Sequence, residues 1–145
     1  MLSLTQDAEP SDVRARARAA HRELEGLKER KLSPGQLAQV NAALARVGQA
    51  LDTVGDLHRR LEYDGNRGNY RGVARCLAAG STVTELEKTR EAVLARHPGA
   101  TANAQIQFTT GNAWEAKGQL ALALEAYESA LSFDPLNIRY HQRYW

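Results

Sequence analysis

Leu37, Val40, Leu44, Val47, Leu51, Val54, His58 and Leu61 follow one another at alternating spacings of three and four. Seven of these eight are aliphatic, so they form one stripe, and the spacing predicts a helix over residues 34–63. A second stripe lies upstream at Val13, Ala17, Ala20, Leu24 and Leu27, with Ser11 or Asp12 as its expected cap. Between the two, Ser33-Pro34-Gly35-Gln36 ends one helix and opens the next. Ser33 suits the N-cap, Pro34 the first helical position, and Gln36 completes a capping box. Two striped helices joined by a tight turn pack as an antiparallel hairpin. The second helix is the longer, so its last turns need covering by the rest of the chain or by a partner. Covering by the chain itself is favoured, because a glycine-rich stretch follows and lets the chain turn straight back.

That stretch, Asp64-Gly65-Asn66-Arg67-Gly68-Asn69, is the clearest break in the pattern and reads as a connector over 64–69. Its glycines fit neither of the two common phosphate-cradling spacings. A short helix is expected from Tyr70 to Ala79, stopped by Gly80. Another opens at one of several overlapping caps over Ser81 to Glu87, of which Thr84-x-x-Glu87 makes a good capping box, and ends at His97-Pro98-Gly99. Residues 1–10 are polar, end on Pro10 and are expected to be disordered. The predicted organisation is a disordered start (1–10), a helical hairpin (11–63), the connector, and further helices over 70–145.

Composition supports an all-α fold. The 145 residues include 24 Ala and 18 Leu against 7 Val and 2 Ile, a bias toward helix formers over β-branched residues. The single Cys76 cannot form an internal disulfide. No apolar run approaches the ~18–20 residues that span a bilayer, and the N-terminus has no apolar signal core, so no membrane is expected and the cytoplasm is the expected compartment. The net charge of +2 is too small to imply nucleic acid.

Ala104 to Asn137 reads AQIQFTTGNAWEAKGQLALALEAYESALSFDPLN. In this stretch Gly111 and Ala123 are small where two helices must approach. Trp114 and Tyr127 supply apolar area beside them. Gly118 suits a left-handed exit from the first helix, and Pro135 cannot continue the second. The stretch resembles a tetratricopeptide (TPR) repeat, through Gly111, Trp114, Gly118, Ala123, Tyr127, Ala130, Asp134-Pro135 and Asn137. It departs from the family at Gln107 and Thr110, where Trp and Leu are usual. Upstream, two registers for a degenerate repeat are open. Pro98 and Pro135 lie 37 residues apart, which would pair the helices over 70–79 and 81–97. Alternatively, Gly68-Asn69-Tyr70 with Val73-Ala74 resembles the turn and second helix of a repeat whose first helix ends near Leu61. One repeat cannot bury its own faces, so flanking helices must stack on it. Residues 138–145 are expected to form a capping helix with Ile138, His141 and Trp145 inward. An ending on Trp145 without a polar tail suggests a trimmed chain.

The resemblance implies an all-α short solenoid that acts as a protein–protein interaction adaptor or scaffold. Its partner would be another protein or peptide, held as a peptide or helix in a groove. Carried onto this chain, the groove residues are Gln105, Phe108, Asn112 and Glu115, extended by Arg139 and Gln142. Asn112 matches the Asn with which many family members hold a peptide backbone. Phe108 stands where the subclass that clamps C-terminal carboxylates has Lys, so an apolar anchor is expected instead.

Two other readings stay open: a self-associating structural module, as a homodimer through the 34–63 helix, and a nucleic-acid binder. The latter would use the row Arg14, Arg18, Arg22 and the terminal Arg139/Arg143 aromatic patch. Residues 1–64 balance ten basic against ten acidic side chains, which favours a solvated face over a phosphate-binding one. No catalytic, metal or cofactor constellation is visible. The four histidines lie far apart, and Glu85, Glu87 and Glu91 form an ordinary solvated face near a helix start.

Overall fold

A computed structural model describes residues 8–54 and 56–145, with Val54 described by its backbone alone. Among the described residues there are eight helices and no strand. They are α1 (Pro10–Lys28), α2 (Pro34–Val54), α3 (Leu57–Asn66), α4 (Tyr70–Ala78), α5 (Val83–Arg96), α6 (Ala100–Ala116), α7 (Leu120–Phe133) and α8 (Ile138–Tyr144). The protein is all-α, with an α1–α2 hairpin followed by packed helix pairs. The stretch expected to be disordered falls mainly on residues 1–7, outside those described. Pro10 itself is buried and opens α1 behind Glu9, so neither Ser11 nor Asp12 caps that helix.

The α1–α2 turn forms the capping box expected at Ser33. The Ser33 amide donates to Gln36 Oε1 at 2.9 Å, and the Gln36 amide donates to Ser33 Oγ at 3.3 Å. Leu44 is buried in the hairpin, whereas Leu37 is exposed. The single helix predicted over 34–63 does not form. Asp56 takes extended backbone and accepts from the Arg59 amide at 3.0 Å, which caps a new helix. A periodic apolar stripe does not register this competition, because a short acidic side chain can start a helix anywhere along it. The break lets α3 pack against α4 and α5 as well as α2.

Leu61, on the expected overhang, is completely buried by this chain's own residues. It lies with Val73, Cys76, Leu86, Val93 and Leu136 in one core. His58, also on that stripe, is exposed. A second core joins Tyr70, Ala104, Ala130, Leu131 and Tyr140.

Three turns among the described residues share one construction, two of them fifty residues apart. Gly68 (φ 68°) and Gly118 (φ 72°) both take the left-handed conformation. The Gly68 amide bonds the Gly65 carbonyl and the Asn69 amide that of Asp64. The Gly118 amide bonds the Glu115 carbonyl and the Gln119 amide that of Trp114. Gly80 (φ 109°) ends α4 with the same pair of bonds, its own amide to the Leu77 carbonyl and the Ser81 amide to that of Cys76, so glycine turns stand in both upstream registers. Residues 64–66 of the expected connector are the end of α3. The spacing of Pro98 and Pro135 leaves a trace too: α5 and α7 are each 14 residues long and stop immediately before His97-Pro98 and Asp134-Pro135.

Close approach explains three glycines. A Cβ on Gly111 would strike the Tyr127 ring, one on Gly65 would strike Leu136, and one on Gly72 would strike the Asp64 carboxylate. The atoms nearest Gly111 are those of the Tyr127 ring, and Ala123, the other small residue of the pair, is buried in α7. Asp64 accepts from Arg60 Nε at 3.2 Å and from Asn69 Nδ2 at 2.8 Å, both beneath the α3–α4 turn. Burial raises the Asp64 carboxyl above its ordinary value, against the lowering effect of these two bonds. The capping box of α5 forms at Thr82 and Glu85, two residues ahead of the expected pair.

The two cores are tied by the connection from α7 to α8. Asp134 is 1% exposed and accepts from Arg90 Nε at 2.9 and 3.0 Å and from Arg90 Nη2 at 2.6 Å. Asn137 Nδ2 donates to the same carboxylate at 3.1 Å. Leu136 then drops into the first core, and Tyr140 into the second.

Two outcomes follow for stability, each measured by denaturant unfolding. Leu61→Ala should cost ~2–5 kcal/mol, whereas Leu37→Ala should stay within about 0.5 kcal/mol. Equal effects would contradict the packing. Gly111→Ala should cost ~1–3 kcal/mol through its clash with Tyr127, and Tyr127→Leu should recover part of that loss.

Candidate interaction surface

Residues at spacings of three and four share a helix face, so Gln105, Phe108, Asn112 and Glu115 lie in a row along α6. The structure adds what faces them. Phe108 stacks on Tyr140 of α8 (centroids 4.6 Å apart, planes at 26°) and tilts against Tyr127 of α7 at 5.5 Å. Tyr140 Oη donates to Gln105 Oε1 at 3.3 Å. Tyr127 Oη stands 2.5 Å from Glu115 Oε2 and 2.9 Å from Asn112 Oδ1. Its single proton goes to the carboxylate, the stronger acceptor. Arg143 Nη2 closes the row with a 2.6 Å ion pair to Glu115. The Tyr127 hydrogen bond, then Arg143, hold the Glu115 carboxyl below its ordinary value, while burial and Glu115 push the Tyr127 phenol up.

The four expected α6 residues are therefore brought together, with Gln105 and Asn112 exposed and Phe108 and Glu115 half-buried. Arg139 and Gln142 are exposed on α8, whose residues against α6 are Tyr140 and Arg143. The expected inner set on α8 needs correcting as well. His141 is 3% exposed and Ile138 packs on the first core, but Trp145 is 70% exposed and Tyr140 takes the inner place. Sequence reasoning missed Tyr127, Tyr140 and Arg143 as members of this surface. The local signal for two of them is the three-residue spacing of Tyr140 and Arg143, which puts both on one face of α8.

The rest of α8 is fixed by His141. Its Nε2 lies 2.7 Å from the Pro135 carbonyl, which can only accept, so Nε2 carries the proton. Nδ1 is then free to accept from the Trp145 indole N–H at 3.3 Å. Burial lowers the His141 pKa from 6.5, against the opposing pull of Pro135 and Asp134.

Other candidates carry no chemistry here. Cys76 is buried and its thiol is pushed up to about 11 by burial, which leaves it a small core side chain. Among the described residues no three His, Cys, Asp or Glu side chains cluster as metal ligands, and no helix is long and apolar enough to cross a membrane. Arg18 and Arg22 are exposed along α1, with Arg14 half-buried.

Comparison with known proteins adds one relative. The chain is 44% identical over 144 residues to a protein named serine/threonine-protein kinase Pkn1 from Myxococcus xanthus. That match covers 99% of this chain and 21% of the kinase, so the chain spans about a fifth of its relative's length. No family model matches the sequence, and no solved structure matches it significantly. The glycine-rich loop, H-R-D and D-F-G motifs by which protein kinases bind and transfer phosphate do not occur in these 145 residues.

Protonating His141 requires a second ring proton at Nδ1, which removes the acceptor that holds Trp145. The folded-state pKa is depressed, so this contribution to stability is complete above pH 6.5 and is lost as pH falls through the folded value. Melting temperature should fall between pH 7.5 and 5.5, and His141→Gln should flatten that part of the profile. An unchanged slope in the variant would contradict the assignment.

Proposed function

We propose that the chain is a protein-binding module of TPR type that serves as an adaptor or scaffold. The observation that carries this reading is the row on α6. It combines an exposed Asn112 amide, a half-buried Phe108 and a charged Glu115, side by side on one helix of a tightly packed pair. A peptide backbone would be held by the Asn112 amide, and an apolar side chain would settle beside Phe108 and Tyr140. The repeated glycine turn supports the reading, since stacked helix pairs present such rows to a partner. The relative in Myxococcus xanthus is named a kinase, and this chain matches a fifth of it. In such a protein a segment without the phosphate-transfer motifs would bring a substrate or regulator to the catalytic part.

The test is an affinity pull-down with the 145-residue chain, repeated with Asn112→Ala and Phe108→Ala after circular dichroism has shown that each variant folds. A captured partner should bind each variant at least about 10-fold more weakly, the size of a hot-spot loss. A partner retained equally by both variants would place recognition on another face.

A further inference from the structure

On the other side of α8 lies a groove that the α6 row does not touch. It runs between α4 and α8 and encloses about 570 Å³, within the ~300–1,000 Å³ of sites that hold small ligands or side chains. Its α4 wall is apolar, made by Ala74, Leu77 and Ala78, and Arg71 and Arg75 stand one helical turn apart along it. The α8 wall is aromatic, made by Tyr144 and the exposed Trp145. None of the residues lining it is acidic.

We propose that this groove binds an acidic peptide segment in which an apolar side chain is flanked by carboxylates. The apolar side chain enters between Leu77 and Trp145, and the carboxylates on either side meet Arg71 and Arg75. Charge complementarity selects this occupant: two guanidinium groups one turn apart sit beside an apolar floor, with no acidic side chain lining the groove. Both arginines already hold carboxylates from outside it. Arg71 Nη2 lies 3.3 Å from Glu128, and Arg75 Nη1 lies 2.8 Å from Glu9. All four side chains are about half exposed, and exposed pairs of this kind exchange partners at little cost. Glu128 also accepts from Tyr70 Oη, so it keeps a partner when Arg71 turns into the groove. The aromatic wall is set in advance. The Trp145 indole is held by its bond to His141, and its ring stands edge-on to Tyr144 at 4.9 Å. A wall already in place reduces the ordering cost of binding.

The inference is independent of the α6 reading, because none of the residues lining the groove belongs to the α6 row or to Tyr140 and Arg143 that face it. The probe is a synthetic nonapeptide with one central Phe between runs of Asp and Glu. It is titrated into the full chain carrying Trp114→Phe, so that indole emission reports Trp145 alone. Saturable binding with a shift in Trp145 emission is expected, weakened at least 10-fold by Arg71→Ala/Arg75→Ala and at least 5-fold by 0.5 M NaCl. Replacing the Phe of the probe by Ser, or its acidic residues by Lys, should abolish binding. Ala78→Glu, at an exposed position on the groove wall, should also abolish it, and circular dichroism confirms that each variant folds. No saturable binding to the folded chain up to 1 mM probe would overturn the proposal. So would equal binding of the Lys peptide, or full retention in the double arginine variant. Tighter binding of a single-stranded oligonucleotide of the same charge would replace the peptide by nucleic acid and overturn it too. Amide chemical shifts that move around Phe108 and Asn112 and not along α4 would assign the probe to the α6 row instead.

Discussion

The buried carboxylate of Asp134 is the point on which the two halves of the helical region depend. A charge with 1% exposure is stable only when its lone pairs are taken up, and Arg90 and Asn137 do this from α5 and from the start of α8. One carboxylate thus fixes the end of α7, the face of α5 and the entry of α8. Leu136 enters one core and Tyr140 the other as a result. Without that anchor the α7–α8 connection would have only its apolar contacts to set its path, and apolar contacts are non-directional.

The same economy appears beneath the α3–α4 turn. Asp64 collects Arg60 and Asn69, and Asn69 Oδ1 accepts in turn from the Gly72 amide at 3.2 Å. The glycine at 72 is needed because the carboxylate occupies the space a methyl group would fill. The α6–α7 turn has the same backbone but reaches its tight packing by a different route, with Gly111 against the Tyr127 ring. One turn geometry is therefore supported by a buried polar network in the first pair and by an aromatic side chain in the second.

α8 divides the surface into two regions of different character. Toward α6 it lays Tyr140 on Phe108 and Arg143 on Glu115, which makes a dense row of rings and paired charges. Toward α4 it leaves a groove with aromatic and aliphatic walls and arginines along one side. A helix of seven residues can do both because Tyr140 and Arg143 reach α6, while Tyr144 packs beside Tyr140 on the second core and also lines the groove with Trp145.

The sequence alone determined the helical class, most helix ends and the members of the α6 row. Those features are local: glycine at a left-handed turn, proline after a helix, a serine or threonine cap, and a spacing of three and four. The TPR resemblance directed attention to Gln105, Phe108, Asn112 and Glu115, which the structure places together. Tertiary structure alone decided the rest. The 34–63 stripe gave no warning of the break at Asp56, because a cap is satisfied by one local hydrogen bond whether or not the apolar period continues. Nor could the stripe show that Leu61 is covered by Val73, Leu86 and Leu136, residues 12 to 75 positions away. The facing of Gly111 and Tyr127, and the choice of Tyr140 over Trp145 as the inner ring of α8, depend on how helices cross. Periodicity gives the face of a helix but not what lies opposite, and that partner is set only when the whole chain has packed.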